Sequence, residues 1–342
     1  MKKKFFALCL LCMLMACMTF SVHGETEVFF RPSSQMNLDL AKQSALLCDV
    51  SYQPDFIRAR LLSMCFEADT IEFRDYQTDA LHSAAMAMAR KTVTGSDGRT
   101  CTVYVVVVRG TSTGQEMISN FIVGDGDISA GFQQAAERAY GHWQEYLAKY
   151  PPENGGEYKV WITGHSRGAA VANLLAGEYM PRSAEKENIY GYTFATPNVQ
   201  KTVDAQAPVF NFLIDGDVVT RVPPAEWGFR RHGTDIHYEK ASVGEYEISS
   251  KNDTDRLIRT IIEGGLSQSQ YLETMEPMLI ALFDRAEKEG MNYTAFLLPL
   301  LQNVEQSTAE DKMNLSEIMA YMQRILPSHT MTTYRAWLDM ME

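Results

Sequence analysis

The residues best placed for chemistry sit in VWITGHSRGAAVA, residues 160–172. Gly164-His165-Ser166-Arg167-Gly168 follows a strand-like apolar run and precedes a run of small residues. A G-x-S-x-G pattern alone is common. Its position between a strand and a helix is what marks a serine held on a sharp bend as a nucleophile. Glycine two positions to either side removes the side chains that would strike the neighbouring backbone. Ala169, Ala170, Ala172 and Ala176 let the following helix pack close. A serine here is also an ordinary helix N-cap, yet the free N–H groups and dipole of that helix end would favour negative charge developing beside it.

A serine hydroxyl attacks only when a base takes its proton and an acid orients the base. On a bend of this kind the chain order is serine, then acid, then histidine. The segment NFLIDGDVVTRVPP offers two acids after a strand, Asp215 and Asp217. Downstream of them stand His232 and His237 in FRRHGTDIHY, and His329 in LPSHTMTTYRAWL. His165 flanks the serine and reads as structural. The backbone N–H of Arg167, the residue after the nucleophile, is one donor for an oxyanion.

The elements that must position these residues alternate along the chain. Residues 36–66 read as two helices broken at Pro54. AAMAMARKTV and TCTVYVVVVRGT flank the turn TGSDGR and read as a hairpin whose second strand is buried on both faces. Phe132, Ala135, Ala136, Ala139, Tyr140, Trp143, Tyr146 and Leu147 recur at helical spacing, and PPENGG ends that helix. EYKVWITG, NIYGYTFATP and APVFNFLID read as further strands, with GAAVANLLAGEYM as a helix between the first two that ends at Pro181. Such alternation predicts an α/β fold with a mostly parallel sheet, flanking helices and functional residues at the carboxyl ends of the strands. From about 244 to 325 the chain turns to polar helical stretches, read as a C-terminal helical insertion in a single domain spanning 25–342.

The N-terminus, MKKKFFALCLLCMLMACMTFSVHGETE, has the basic, apolar and small-residue parts of a secretory signal, with cleavage after Gly24. That predicts a secreted or otherwise extracytoplasmic protein. A second reading is a lipoprotein signal, since Leu14-Met15-Ala16-Cys17 resembles a lipobox and would tether the chain through Cys17. Removing residues 1–24 takes away three lysines and no acid, which moves the net charge from −12 to −15. So acidic a chain repels phosphate backbones and argues against nucleic acid as a partner. Three of the six cysteines (Cys9, Cys12 and Cys17) belong to the leader. The remaining Cys48, Cys65 and Cys101 are too few and odd in number for a disulfide framework, leaving open a single Cys48–Cys65 bridge. Beyond the leader, which holds Cys9-Leu10-Leu11-Cys12, no C-x-x-C or H-x-x-x-H spacing occurs, so neither a metal nor a cofactor is expected.

VVVVRGTS, SAGF, WITGHSRGAAVANLLA, TFATPNV and DGDVVTRVPP, in this order across about residues 84–230, resemble the class 3 (fungal-type) lipase family of the α/β-hydrolase fold. The leader and the C-terminal HTMTTY resemble its bacterial secreted members. The resemblance implies a serine hydrolase acting on carboxylic esters of lipids, with a lipid or small ester as substrate and transient contact with a lipid interface. In that family the acid precedes a V-x-x-x-P segment, which favours Asp217 over Asp215. A similar H-[ST]-M-x-x-Y segment holds the base of the bacterial members, which favours His329. Arg109-Gly110-Thr111 resembles the oxyanion segment and adds Thr111 to Arg167. GQEMISNFIVGDG resembles the lid, with Met117, Ile118 and Phe121 as an apolar underside and Gly114, Gly124 and Gly126 as hinges; an ordinary buried surface helix is the competing reading. The insertion before His329 has no counterpart in the fungal members. A short-chain esterase, a phospholipase and an inactive surface-binding module are the alternatives.

Overall fold

The computed structural model describes residues 27–182, 184–238, 252, 267–277, 280–281 and 326–341. The expected leader at 1–24 and most of the expected insertion at about 244–325 lie outside the described residues.

Seven strands form one sheet in chain order: β1 (Glu72–Arg74), β2 (Met86–Thr94), β3 (Thr100–Val108), β4 (Tyr158–His165), β5 (Ile189–Phe194), β6 (Val209–Leu213) and β7 (Thr234–His237). The first three pair antiparallel, and β3 through β7 run parallel. The central strands are apolar runs because helices cover both of their faces: all of β3 after Thr100 is buried, as is all of β4 after Tyr158. β1 and β7 were not expected from the sequence. β1 has three half-buried residues, and β7, TDIH, is largely exposed. These two edge strands lack the apolar signal that burial imposes.

Two helical layers cover the sheet. On one face lie α1 (Leu38–Val50), α2 (Pro54–Ser63) and the C-terminal α7 (Met331–Met340). Against the other pack α4 (Ala130–Lys149) and α5 (Arg167–Leu174), both in the second core cluster. The buried stripe of α4 includes Phe132, Trp143 and Tyr146, with Trp143 meeting Tyr104 of β3 edge-on at 5.4 Å. Burying each such ring contributes about 1.5–3 kcal/mol. α7 buries Met331, Tyr334, Trp337 and Leu338, one helical face, against the sheet; Trp337 lies 5.6 Å from Phe212 of β6. This packing sets His329 near the carboxyl ends of β4 and β6. The Cys48–Cys65 bridge left open above is absent: both thiols are free, Cys48 buried with Sγ 3.2 Å from Thr163 Oγ1 and Cys65 exposed.

Two further helices lie at the carboxyl edge. α3 (Gly114–Asn120) follows the loop after β3. The helical segment α6 opens at Gln268–Gln270 and continues through a wider turn at Tyr271–Met275.

Candidate active site

Ser166 stands where β4 ends and α5 begins, with φ +58° and ψ −128°. A side chain there is strained by about 1–3 kcal/mol. Its N–H donates to Phe194 O at 3.0 Å, which holds the bend against β5. A Cβ on Gly164 would lie 2.2 Å from Gly168 O, and one on Gly168 would lie 2.3 Å from Val108 O. Backbone cannot retreat from such contacts, so glycine is required at both positions. The strain predicts a measurable trade. Ser166→Gly should raise the stability to urea unfolding by about 1 kcal/mol, because glycine accepts positive φ freely; a lower midpoint would show that the bend is unstrained.

Beside the serine, His329 Nε2 lies 2.9 Å from Ser166 Oγ, and Nδ1 lies 3.0 and 2.9 Å from the two carboxylate oxygens of Asp217. A carboxylate only accepts, so Nδ1 carries the proton and Nε2 is free to accept from the serine hydroxyl. Burial alone would lower the His329 pKa, but the charge and hydrogen bond of Asp217 outweigh it and shift it upward. Asp217 is fully buried after β6 and caps the short helical turn that follows. Its Oδ1 accepts from Val219 N at 3.0 Å and its Oδ2 from the hydroxyl of Tyr334 at 2.9 Å. Tyr334, buried on α7, also accepts from Ile214 N at 3.2 Å. Sequence reasoning passed over Tyr334, although it is the final residue of the H-T-M-T-T-Y segment.

The remaining candidates separate. Asp215 pairs with His237 Nδ1 at 3.2 Å on the surface. His232 is buried elsewhere, with Nε2 2.9 Å from Gln200 Oε1, Nδ1 accepting from Asp204 N, and its ring seated on Gly177. His165 donates from Nε2 to the carbonyl of His329 at 2.8 Å, so its Nδ1 accepts from the Tyr52 hydroxyl at 3.2 Å. Burial, with the neighbouring His329 charge, holds its pKa at about 3, so it stays neutral.

Arg167, expected to serve an oxyanion, is the first residue of α5, and its N–H is among those that a helix start leaves without an intrahelical partner. Its guanidinium turns inward, where Nη1 donates to Ser119 Oγ and Asn120 Oδ1 and Nη2 to Ser83 O. Burial lowers the guanidinium pKa to about 10 against the pull of Glu116. Asn120 Nδ2 in turn donates to Thr111 Oγ1 at 2.9 Å, leaving the Thr111 hydroxyl proton free to point elsewhere. The loop before α3 is fastened by Glu116, whose carboxylate accepts from the N–H groups of Ser112 and Thr113 and pairs with Arg109 in a buried ion pair. Thr113 Oγ1 accepts from Glu116 N, completing a capping box. The T-x-x-E signature at Thr113 and Glu116 is legible in the sequence and was not used. The side chains of Met117 and Ile118, expected beneath a lid, lie outside the described residues. Separating α3 from its loop would strand the buried Arg109 or Glu116 charge, a change that typically costs about 3–5 kcal/mol.

The mostly parallel sheet with its serine bend between β4 and α5 is the α/β-hydrolase fold. Residues 105–227 match the class 3 lipase family model. Curated lipases of Rhizopus niveus and Rhizopus oryzae are each 29% identical over 189 residues, covering 47% of this chain and 45% of theirs. The chain thus spans less than half the length of these relatives. Among solved structures, a fungal lipase–inhibitor complex aligns with a TM-score of 0.43 at 20% identity, covering 58% of this chain and 78% of that one. The lipase of Rhizopus microsporus var. chinensis aligns at 0.39 and 18%, covering 60% and 75%.

Proposed function

We propose that this chain is a serine hydrolase that cleaves carboxylic ester bonds of lipids through an acyl-enzyme. Ser166 Oγ attacks the ester carbonyl as His329 Nε2 takes its proton. Asp217 holds the imidazole in the required tautomer and balances the charge it gains. The N–H of Arg167 and Thr111, through its backbone N–H and hydroxyl, receive the negative charge on the tetrahedral oxygen. The proton on His329 then passes to the leaving alcohol, and water repeats the sequence to release the acid. The observation that carries this reading is the unbroken run of hydrogen bonds from Ser166 Oγ through His329 to a fully buried Asp217. The class 3 lipase match and the fungal relatives support a lipid ester as the substrate.

The leader reading supports export as a released or Cys17-tethered protein, and HTMTTY supports a bacterial form of the family. A fluorophosphonate probe tests the chemistry: we expect labelling of the purified protein that vanishes in Ser166→Ala, and absence of labelling in the parent refutes the reading. Hydrolysis of p-nitrophenyl esters of increasing chain length, with and without vesicles, then separates a lipase from a short-chain esterase.

A further inference from the structure

We propose that α6 is a clamp on the loop after α3, which makes Glu276, Tyr271 and Gln268 positioning residues for the oxyanion side. The proposal rests on the hydrolase reading above. Glu276 Oε2 accepts from Val123 N at 2.8 Å and Gly124 N at 3.3 Å. Gln268 Nε2 donates to Gly124 O at 2.8 Å, and the Tyr271 hydroxyl donates to Phe121 O at 2.7 Å. Three side chains of one helical segment thus satisfy four backbone groups within residues 121–124. Tyr271 is itself buried and set against the Trp227 ring at 5.3 Å, so the clamp is anchored on the body of the protein.

On its other side the same loop is seated at the start of α4, where Ala130 N donates to Val123 O and Gly131 N to Ile122 O. A Cβ on Gly131 would lie 1.7 Å from Ser119 O, which shows how closely α3 and α4 approach. Asn120 is the residue immediately before this doubly held loop, and it bridges the Arg167 guanidinium and Thr111 Oγ1. A donor for an oxyanion is effective only when its direction is fixed in advance. Fixing residues 121–124 from both sides fixes the backbone from which Asn120 reaches Thr111. This gives α6 a role in the chemistry without any contact to the reacting atoms, and it makes α3 a held element whose outer end depends on the insertion.

The test uses the full chain, with kcat and KM on a soluble p-nitrophenyl ester, the rate of Ser166-dependent fluorophosphonate labelling, and the thermal midpoint. Complete loss of one oxyanion donor costs about 10²–10³ in kcat, so a loosened donor should cost less. We expect Glu276→Ala to lower kcat and the labelling rate about tenfold with KM within about twofold. Glu276→Gln, whose amide oxygen still accepts both N–H groups, should restore most of the loss. Asn120→Ala should lower kcat by a similar factor, and the double variant should be no slower than Asn120→Ala, since both changes act through one contact. Parent-like kcat in Glu276→Ala overturns the clamp. So does a gain in kcat, which would mark α6 as an obstructing cover, and so does a multiplicative loss in the double variant. If Glu276→Ala does not fold, Tyr271→Phe removes a single hydroxyl donor and carries the same test, with a smaller loss expected and no loss overturning it. A parent chain without Ser166-dependent labelling refutes the hydrolase reading and this proposal together, whereas a labelled parent with an unaffected Glu276→Ala refutes the clamp alone.

Discussion

His329→Ala is expected to lower kcat by about five to six powers of ten on any ester the parent hydrolyses, the scale seen when the base of such a triad is removed. The expectation follows from Nε2 lying 2.9 Å from Ser166 Oγ with no other imidazole facing that oxygen among the described residues. His232→Ala should leave kcat within about threefold of the parent while costing stability, because that ring is a buried packing and hydrogen-bonding element away from the serine. If the His232 variant is the inactive one and the His329 variant is active, the base assignment fails. The parent pH profile adds a check on sign. The base must be neutral to work, and Asp217 shifts the His329 pKa upward, so the acid limb of kcat should lie above the ordinary histidine value of about 6.5. Tyr334→Phe removes a donor to Asp217 Oδ2, which leaves more charge on the carboxylate facing His329 and should move that limb to higher pH still.

The serine bend was legible because its constraints are local: a Cβ on Gly164 or Gly168 would lie 2.2 or 2.3 Å from a backbone oxygen, and no other residue type fits there. The central strands were legible because burial on both faces forces continuous apolar runs in β3 and β4. Asp217 and His329 were harder to read. Each is a single polar residue in a loop, brought together across 112 positions of chain, and nothing in the local pattern distinguishes Asp217 from Asp215 or His329 from His232. Family resemblance ranked them, and the geometry separates them by burial: Asp217 is fully enclosed, whereas Asp215 meets His237 at the surface. Asn120, Glu276 and the inward turn of Arg167 had no sequence signal, since each acts by reaching a partner on another element. Polar networks of this kind are defined by tertiary placement and have no period to detect.

Asp217→Asn is expected to lower kcat by about four powers of ten while leaving the shape of the site nearly unchanged. The cause can be derived from the donors around the carboxylate. Val219 N–H points at Oδ1, so an asparagine must place its carbonyl oxygen there to avoid facing one donor with another. Its amide nitrogen then occupies the Oδ2 position, facing both His329 Nδ1 and the Tyr334 hydroxyl. To accept from that amide, the imidazole must move its proton to Nε2, where it points at Ser166 Oγ and can no longer take the serine proton. Tyr334 already accepts from Ile214 N, so with an amide before it the buried hydroxyl proton loses its acceptor, and we expect a further cost of about 1–3 kcal/mol in stability. Fluorophosphonate labelling should slow in parallel with kcat, with KM little changed. Labelling at the parent rate in a folded Asp217→Asn would show that the carboxylate does not set the imidazole tautomer, and Asp217 would then be a structural cap of the turn after β6.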